Sequence, residues 1–203
     1  SGWRSSGIEL SSASDTAAKL FDAYLHQVFG YYENEELGGM EGTGARILEA
    51  DPHFLPLCVM RAVHGASSPG VSIGQEALLR RLRLVVESAG SGGCQQGQSE
   101  QPEKRSSKWE LEHCRAALVY ASGQRRKAHA IWERILAVYP QDMMAQNFCV
   151  FYNLFISDFE GMRDNLLTTL SSLKKSDPYY GYVLAKTGFS FEQTGMLRRA
   201  ETM

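Results

Sequence analysis

The sequence lacks the patterns that mark most enzymes and metal proteins. Its five histidines form no H-E-x-x-H pair, and it contains no G-x-x-x-x-G-K loop for phosphate. Glu112, His113 and Cys114 are adjacent, but successive residues of a helix point about 100° apart, so they do not converge as a catalytic triad. The sequence therefore predicts no catalytic residue, no metal ligand and no cofactor.

Long apolar runs and an excess of one charge are also missing. No run approaches the ~18 apolar residues of a membrane-spanning helix, and the first residues carry no apolar signal-peptide core. The 21 basic and 23 acidic side chains give a net charge of -2, which argues against a polyanionic partner. We expect a cytoplasmic protein with no membrane partner, no nucleic-acid partner and no small-molecule substrate.

Cysteine is scarce and irregularly spaced. The four cysteines are Cys58, Cys94, Cys114 and Cys149. They include no C-x-x-C pair of the kind that binds zinc. Three of the four lie within apolar stripes at helical spacing, which predicts reduced thiols in the core. A disulfide framework is the alternative.

What the sequence does contain is a helix-turn-helix unit from Trp109 to Pro140, with apolar residues at helical spacing in each half. Ala116 and Ala128, one in each helix, would let the two backbones cross closely. Gly123 permits the turn, Trp132 fills the space beside the crossing, and Pro140 ends the second helix because it has no amide hydrogen.

The same order of residues returns near the end of the chain. At an offset of 72 residues, Ala116, Val119, Gly123 and Ala128 are matched by Gly188, Phe191, Gly195 and Ala200. This offset corresponds to two repeats of ~34 residues and a small insertion, with a weaker copy between them. The chain stops eight residues after Gly195, so we expect a fragment truncated within its last repeat.

These repeats suggest three segments. Residues 13–90 form degenerate N-terminal helical repeats, in which four glycines from Gly38 to Gly44 crowd one helix. Residues 91–107 are rich in Gly, Gln, Ser and charge, and we expect a flexible loop of low complexity there. Residues 108–203 hold the clearer repeats. Because helical repeats are stabilised by stacking, the two helical blocks should dock.

Several segments resemble the tetratricopeptide repeat superfamily, over the region from residue 19 to the end: Lys19–Ala23, Leu37–Gly42, Ala50–Pro52, Lys127–Ala128 with Trp132–Glu133, and Met162–Asp164. Residues 90–108 depart from the family's pattern. The resemblance implies an all-α fold, a solenoid of helix-turn-helix repeats wound as a right-handed superhelix. It also implies no enzymatic activity and no catalytic residue.

In this family the first helix of each repeat lines a concave groove. The resemblance thereby points to residues on the exposed edge of those helices: His113, Ala117, Tyr120, Asn147, Phe151, Tyr182, Lys186 and Phe189. Tyrosine and phenylalanine suit a groove for a helix or an extended peptide, although Phe151 and Phe189 could instead belong to the core between repeats. Lys186 and Asn147 resemble part of the family's carboxylate clamp, which needs several converging donors.

We therefore expect a non-catalytic scaffold that binds another polypeptide of unknown identity, or its own missing downstream repeats, in a concave groove. The alternative is a helical enzyme or nucleic-acid-binding protein whose site is assembled across repeats. Two basic clusters bear on that alternative: Arg80, Arg81 and Arg83, and Arg125, Arg126 and Lys127. Solvated surface is the simpler interpretation of both, and phosphate contact is the other.

Overall fold

A computed structural model describes Trp3 and residues 6–67, 74–90 and 106–203. The helices in these ranges are α1 Asp15–Gly30, α2 Gly39–Ala50, α3 Leu55–Ser67, α4 Gln75–Gly90, α5 Lys108–Ala121, α6 Arg125–Val138, α7 Met143–Phe155, α8 Phe159–Ser172, α9 Tyr180–Gln193 and α10 Leu197–Glu201. A 3₁₀ turn, Glu35–Leu37, precedes α2. No strand occurs in the described ranges, so the all-α prediction is confirmed there.

Two expectations fall on other parts of the chain. Most of the predicted loop, residues 91–105, lies outside the described residues, and so does Cys94. Within the described ranges, no helix combines the length and the apolar character needed to cross a membrane.

Polar side chains fix where several helices begin. The Ser14 hydroxyl caps α1, and the carboxylates of Asp142 and Asp158 cap α7 and α8, each by accepting a bond from a backbone amide of the first turn. Helix α5 begins with a full capping box. The Ser107 hydroxyl accepts from the Glu110 amide at 3.2 Å, while the Glu110 carboxylate accepts from the Ser107 amide at 2.8 Å.

One turn geometry ends α5 and α9. Gly123 and Gly195 have φ angles of 84° and 73°, in the left-handed region that glycine adopts without strain. After each glycine, the next amide donates to the carbonyl five residues before it, at 3.2 Å and 2.9 Å respectively. These bonds form the Schellman motif that closes many helices. The backbone thus repeats at the 72-residue offset found in the sequence.

The same turn also ends α7 and α1, but without glycine. Ser157 has a φ of 58°, and the Asp158 amide donates to the Asn153 carbonyl at 2.8 Å. Ser157 follows Gly123 by 34 residues, so the weaker middle copy lies where the sequence places it. Tyr31 ends α1 with a φ of 53°. Both residues have a left-handed backbone conformation, which is costly for residues other than glycine.

The helices pack mainly against their neighbours in sequence. Helix α5 packs on α6, α6 on α7, α7 on α8, α8 on α9 and α9 on α10, while α3 and α4 both pack on α5 and so join the two helical blocks. Ala116, Ala128 and Trp132 are fully buried, as the helix-crossing argument requires. The Trp132 ring lies 4.5 Å from that of Phe148 in the following repeat.

Helix α1 departs from this sequential order. It packs on α2, yet it also contacts α7, and the Tyr179 hydroxyl just before α9 donates to the Asp22 carbonyl at 3.2 Å. The ring of His26 stacks on that of Tyr179 at 4.3 Å. Before α1, the Ser11 amide and hydroxyl donate to Glu110 of α5 at 3.0 Å and 2.9 Å. The N-terminal helix therefore lies against the first helices of the later repeats.

Candidate peptide-binding cleft

Three adjoining cavities form a cleft between the N-terminal helices and the helices α5 to α9. We call the first the tryptophan cavity. It has a volume of about 250 Å³ and is lined by Val63, His64, Ser67, Tyr120, Trp132, Phe148, Phe151, Tyr152 and Phe155. Four helices, α3, α5, α6 and α7, supply these side chains. Six of the nine are aromatic rings of Phe, Tyr or Trp.

Two more cavities continue the cleft. The tyrosine cavity, about 370 Å³, shares His64 and Phe151 with the first and is lined by Gln27, Val28, Tyr31, Tyr32, Glu33, Met40, His64 and Phe151. The lysine cavity, about 320 Å³, shares Tyr31 with the second and is lined by Phe29, Gly30, Tyr31, Val150, Leu154, Met162, Tyr182, Ala185, Lys186 and Phe189. Together the three cavities define the aromatic cleft.

Ring contacts hold the walls of the tryptophan cavity in place. The Trp132 ring lies 5.7 Å from that of Tyr120, and the Tyr120 hydroxyl is 3.0 Å from the Ser67 hydroxyl. Phe155 stands at the mouth of the cavity with 70% of its surface exposed. Trp132 is fully buried, and its indole N–H has no hydrogen-bond partner among the described residues.

The tryptophan cavity is electrically neutral. None of its nine lining residues is Asp, Glu, Lys or Arg. Burial lowers the pKa of His64 below its usual value of 6.5, so this imidazole is uncharged at neutral pH. A charged group entering the cavity would lose its hydration without gaining an opposite charge.

The lysine cavity differs from the tryptophan cavity, because a charged side chain, Lys186, lines it. The Lys186 ammonium donates to the Tyr31 hydroxyl at 2.8 Å and lies 4.3 Å from the centre of the Tyr31 ring. It also lies 5.5 Å from the Phe29 ring. These contacts connect α9 to the end of α1, so one wall of the cleft is formed by the N-terminal helix of the same chain.

The structure brings five of the predicted groove residues to this cleft. Tyr120 and Phe151 line the tryptophan cavity, whereas Tyr182, Lys186 and Phe189 line the lysine cavity. Phe189 is 40% exposed and Phe151 is half-buried, so neither is enclosed in a core between repeats. Their role in binding stays a prediction.

The expected exposure of three other residues is wrong. His113, Ala117 and Asn147 are buried, on the side of their helices that faces neighbouring helices. The partial carboxylate clamp fails for the same reason, because burial of Asn147 leaves Lys186 without its companion. Helical spacing shows which residues lie on the same side of a helix. It does not show whether solvent or another helix covers that side.

His113 belongs instead to a buried polar cluster around Asp142. One carboxylate oxygen of Asp142 accepts from the Trp109 indole at 2.6 Å and lies 2.8 Å from His113 Nε2. The other oxygen accepts from the Ala145 amide at 3.0 Å and caps α7. Asp142 and His113 are fully buried. This cluster joins α5 to the start of α7, so its arrangement serves packing between repeats.

The predicted packing residues of the last repeat have more room than the sequence suggested. A β-carbon built at Gly188 would have its nearest neighbours, the Ala200 carbonyl oxygen and Met203 Cβ, at 4.0 Å, which is ordinary contact. Gly195 and Gly123 form turns, as expected. Pro140 follows the end of α6 by two residues.

The cysteines of the described chain are inert by environment. Cys58, Cys114 and Cys149 are buried and free, which confirms the reduced-thiol prediction for these three. Burial raises the pKa of the Cys114 thiol to about 12 and raises the pKa of Cys58 and Cys149 as well. Within the described ranges, no three His, Cys, Asp or Glu side chains are grouped closely enough to hold a metal ion.

The basic clusters are partly engaged within the chain. Arg81 donates to the Pro52 carbonyl at 3.1 Å and to Cys58 Sγ at 3.4 Å, and Arg83 pairs with Glu76 at 3.0 Å. In the second cluster, the Arg125 guanidinium lies 5.3 Å from the centre of the Tyr120 ring. Phosphate contact at either cluster stays a prediction.

A separate cavity of about 280 Å³ lies between α1 and the segment that precedes α9, with Asp22, His26 and Tyr179 in its lining. Desolvation by burial raises the pKa of Asp22 to about 6. Burial lowers the pKa of His26 and raises that of Tyr179. No sequence pattern indicates this cavity, because its residues come from distant segments.

Sequence reasoning missed several residues of the cleft: Tyr31, His64, Ser67, Tyr152 and Phe155. Tyr152 and Phe155 follow Phe148 and Phe151 at a spacing of four residues, so their shared face could have been read from the helix period. Tyr31 could not, because its place depends on how α1 packs against a helix more than a hundred residues later.

Comparison with known proteins gives no further guidance, since no family model and no solved structure matches the chain.

Proposed function

We propose that the protein is a non-catalytic helical-repeat scaffold whose aromatic cleft binds a segment of another polypeptide. The observation that carries this proposal is the run of three adjoining cavities lined by aromatic side chains, several of which are exposed to solvent. Aromatic side chains offer a large contact area with few rotatable bonds, so ordering them on binding costs little entropy.

The backbone repeat supports membership in the tetratricopeptide repeat superfamily. Turns of one geometry recur at Gly123, Ser157 and Gly195, after helices that pack in sequence order. The segments that resemble the superfamily are also similar to segments of tetratricopeptide repeat protein 38. A right-handed superhelical solenoid and a cytoplasmic location are parts of the same proposal, and the reduced, buried thiols suit a reducing compartment.

The position of α1 narrows the form that the bound segment takes. In an open concave groove a peptide would contact the first helices of every repeat. Here the end of α1 is bound to Lys186, so the accessible surface is a cleft with α1 and α3 on one side and α7 on the other. Such a cleft suits one helix or one extended strand rather than a folded domain.

The test is selection of random displayed peptides on the immobilised protein. We expect enriched peptides whose affinity falls about tenfold or more in Phe155→Asp, because this exposed ring forms the mouth of the cleft. Leu84→Asp is the matched control. Leu84 is 58% exposed on α4 and does not line the cleft, so its substitution should leave the affinity unchanged.

Two results would contradict the proposal. One is a failure to enrich any peptide on a protein whose circular dichroism shows it folded. The other is a set of peptides that bind Phe155→Asp and the unchanged protein equally, since their site would then lie elsewhere on the surface.

A further inference from the structure

We propose that the tryptophan cavity receives one uncharged, ring-sized side chain of the bound polypeptide. This inference rests on the proposed function and deepens it, because it states the chemistry of the anchoring residue. The size of the cavity and the absence of charge in its lining both contribute to it.

The size of the cavity favours a single side chain. Pockets for drug-sized ligands begin at about 300 Å³. The tryptophan cavity, at about 250 Å³, falls below this range and opens past the exposed ring of Phe155. A phenylalanine, tyrosine or tryptophan side chain enters such a space from a peptide that lies along the mouth, as an anchor residue does in a groove.

The lining selects for a neutral, flat group. The cavity presents rings from Tyr120, Trp132, Phe148 and Phe151 and no formal charge. A ring between such walls gains edge-to-face or offset stacking contacts in addition to burial. A carboxylate or an ammonium would be buried there unpaired, which is strongly unfavourable.

The Trp132 indole reports whether the cavity is occupied. Its ring is fully buried and lines the cavity, and its N–H has no hydrogen-bond partner among the described residues. The Trp109 N–H, in contrast, donates to Asp142. A ring that packs in the cavity would change the surroundings of the Trp132 N–H and leave those of the Trp109 N–H unchanged.

The experiment observes the indole N–H groups of the full chain by NMR after labelling tryptophan with ¹⁵N. The chain has three tryptophans, so each indole gives its own resonance, and Trp109 serves as an internal control because its N–H is already bound. The probe is N-acetyl-L-phenylalanine methylamide. Probes with the same backbone, N-acetyl-L-aspartate methylamide and N-acetylglycine methylamide, test charge and the need for a ring.

We expect the phenylalanine probe to shift the Trp132 indole resonance in a saturable way and to leave that of Trp109 unchanged. The aspartate and glycine probes should shift neither. Phe155→Ala should weaken the phenylalanine probe about three- to tenfold, the range of one lost aromatic contact. Val138→Ala, at a residue 68% exposed outside the cleft, should not change it.

Failure of this inference is separable from failure of the proposed function. If selected peptides bind but neither they nor the phenylalanine probe moves the Trp132 resonance, the cavity is not the anchor site and the inference is overturned while the scaffold proposal stands. An equal response to the aspartate probe would also overturn it. If the probe binds as expected but no peptide is enriched, the cavity chemistry holds and the scaffold proposal fails.

Discussion

Two glycines that the sequence treats alike should respond in opposite directions to the same substitution. In Gly123→Ala, the added methyl group meets open space, yet the backbone φ of 84° is one that an L-residue adopts at a cost of roughly 1 to 2 kcal/mol. Loss of chain entropy in the unfolded state offsets about 0.4 to 1 kcal/mol of this. We therefore expect Gly123→Ala to lower the free energy of unfolding by about 1 kcal/mol.

Gly188 lies inside α9 with a helical backbone, and its nearest neighbours would be 4.0 Å from a new β-carbon. Gly188→Ala should therefore raise the free energy of unfolding by about 0.5 to 1 kcal/mol, the usual gain of alanine over glycine in a helix. Urea denaturation followed by circular dichroism measures both variants against the unchanged protein.

The pair tests the structure because the chemistry of the substitution is identical. A loss of stability in Gly188→Ala would mean that α9 and α10 approach more closely than the 4.0 Å contacts indicate. A gain in Gly123→Ala would mean that the turn after α5 is not left-handed, and the repeat register would lose its main support. The denaturant slope must stay constant for either comparison to hold.

Three further predictions concern stability. Ala128→Leu should overpack the crossing of α5 and α6 and lower the free energy of unfolding by about 1 to 3 kcal/mol. Trp132→Ala should leave a cavity and lower it by about 3 to 5 kcal/mol. If neither variant changed the free energy of unfolding in chemical denaturation, the packing of these helices would be refuted. Asp142→Ala should cost roughly 3 to 5 kcal/mol of stability, because the Trp109 and His113 ring nitrogens lose their acceptor and α7 loses its cap. Asp158→Ala removes only the cap of α8 and should cost about 1 kcal/mol. Equal losses of stability in urea denaturation would contradict this difference. Burial raises the pKa of Asp22 from 3.8 to about 6, so the folded state binds this proton more tightly than the unfolded state and stability should fall as pH rises across that interval. At pH 7, Asp22→Asn should be more stable than the unchanged protein by about 1 kcal/mol, after allowance for the partial exposure of this side chain. Thermal melts at graded pH should show this difference in stability disappearing below pH 4. A difference that grew on acidification would contradict the prediction.

The helix-turn-helix pattern was readable from the sequence where small residues and glycine mark it. Ala116, Ala128 and Gly123 behave as their positions suggested, and the 72-residue offset reappears in backbone hydrogen bonds. Ser157 and Tyr31 occupy the same left-handed position without the residue type that signals it. The packing around them holds these residues in a costly conformation, and such tertiary constraint leaves no local signature.

The cleft was predicted less completely than the helices. Helical spacing shows which residues of one helix share a face, and Phe151, Tyr182 and Phe189, to which the family resemblance pointed, line cavities of the cleft. It could not show that His113 faces Asp142, which lies beyond the proline that ends the previous helix. Nor could it show that α1 lies beside the later repeats, because that contact depends on folding of the whole chain.

The hydrogen bond from Tyr179 to the Asp22 carbonyl joins residues 157 positions apart. Open helical arrays are able to lose their terminal units one at a time, because each unit touches its neighbours alone. Here α1 is bonded to the segment just before α9, so loosening either helix removes support from the other. We therefore expect the described helices to unfold in a single cooperative step, with little separate fraying of α1 or α9.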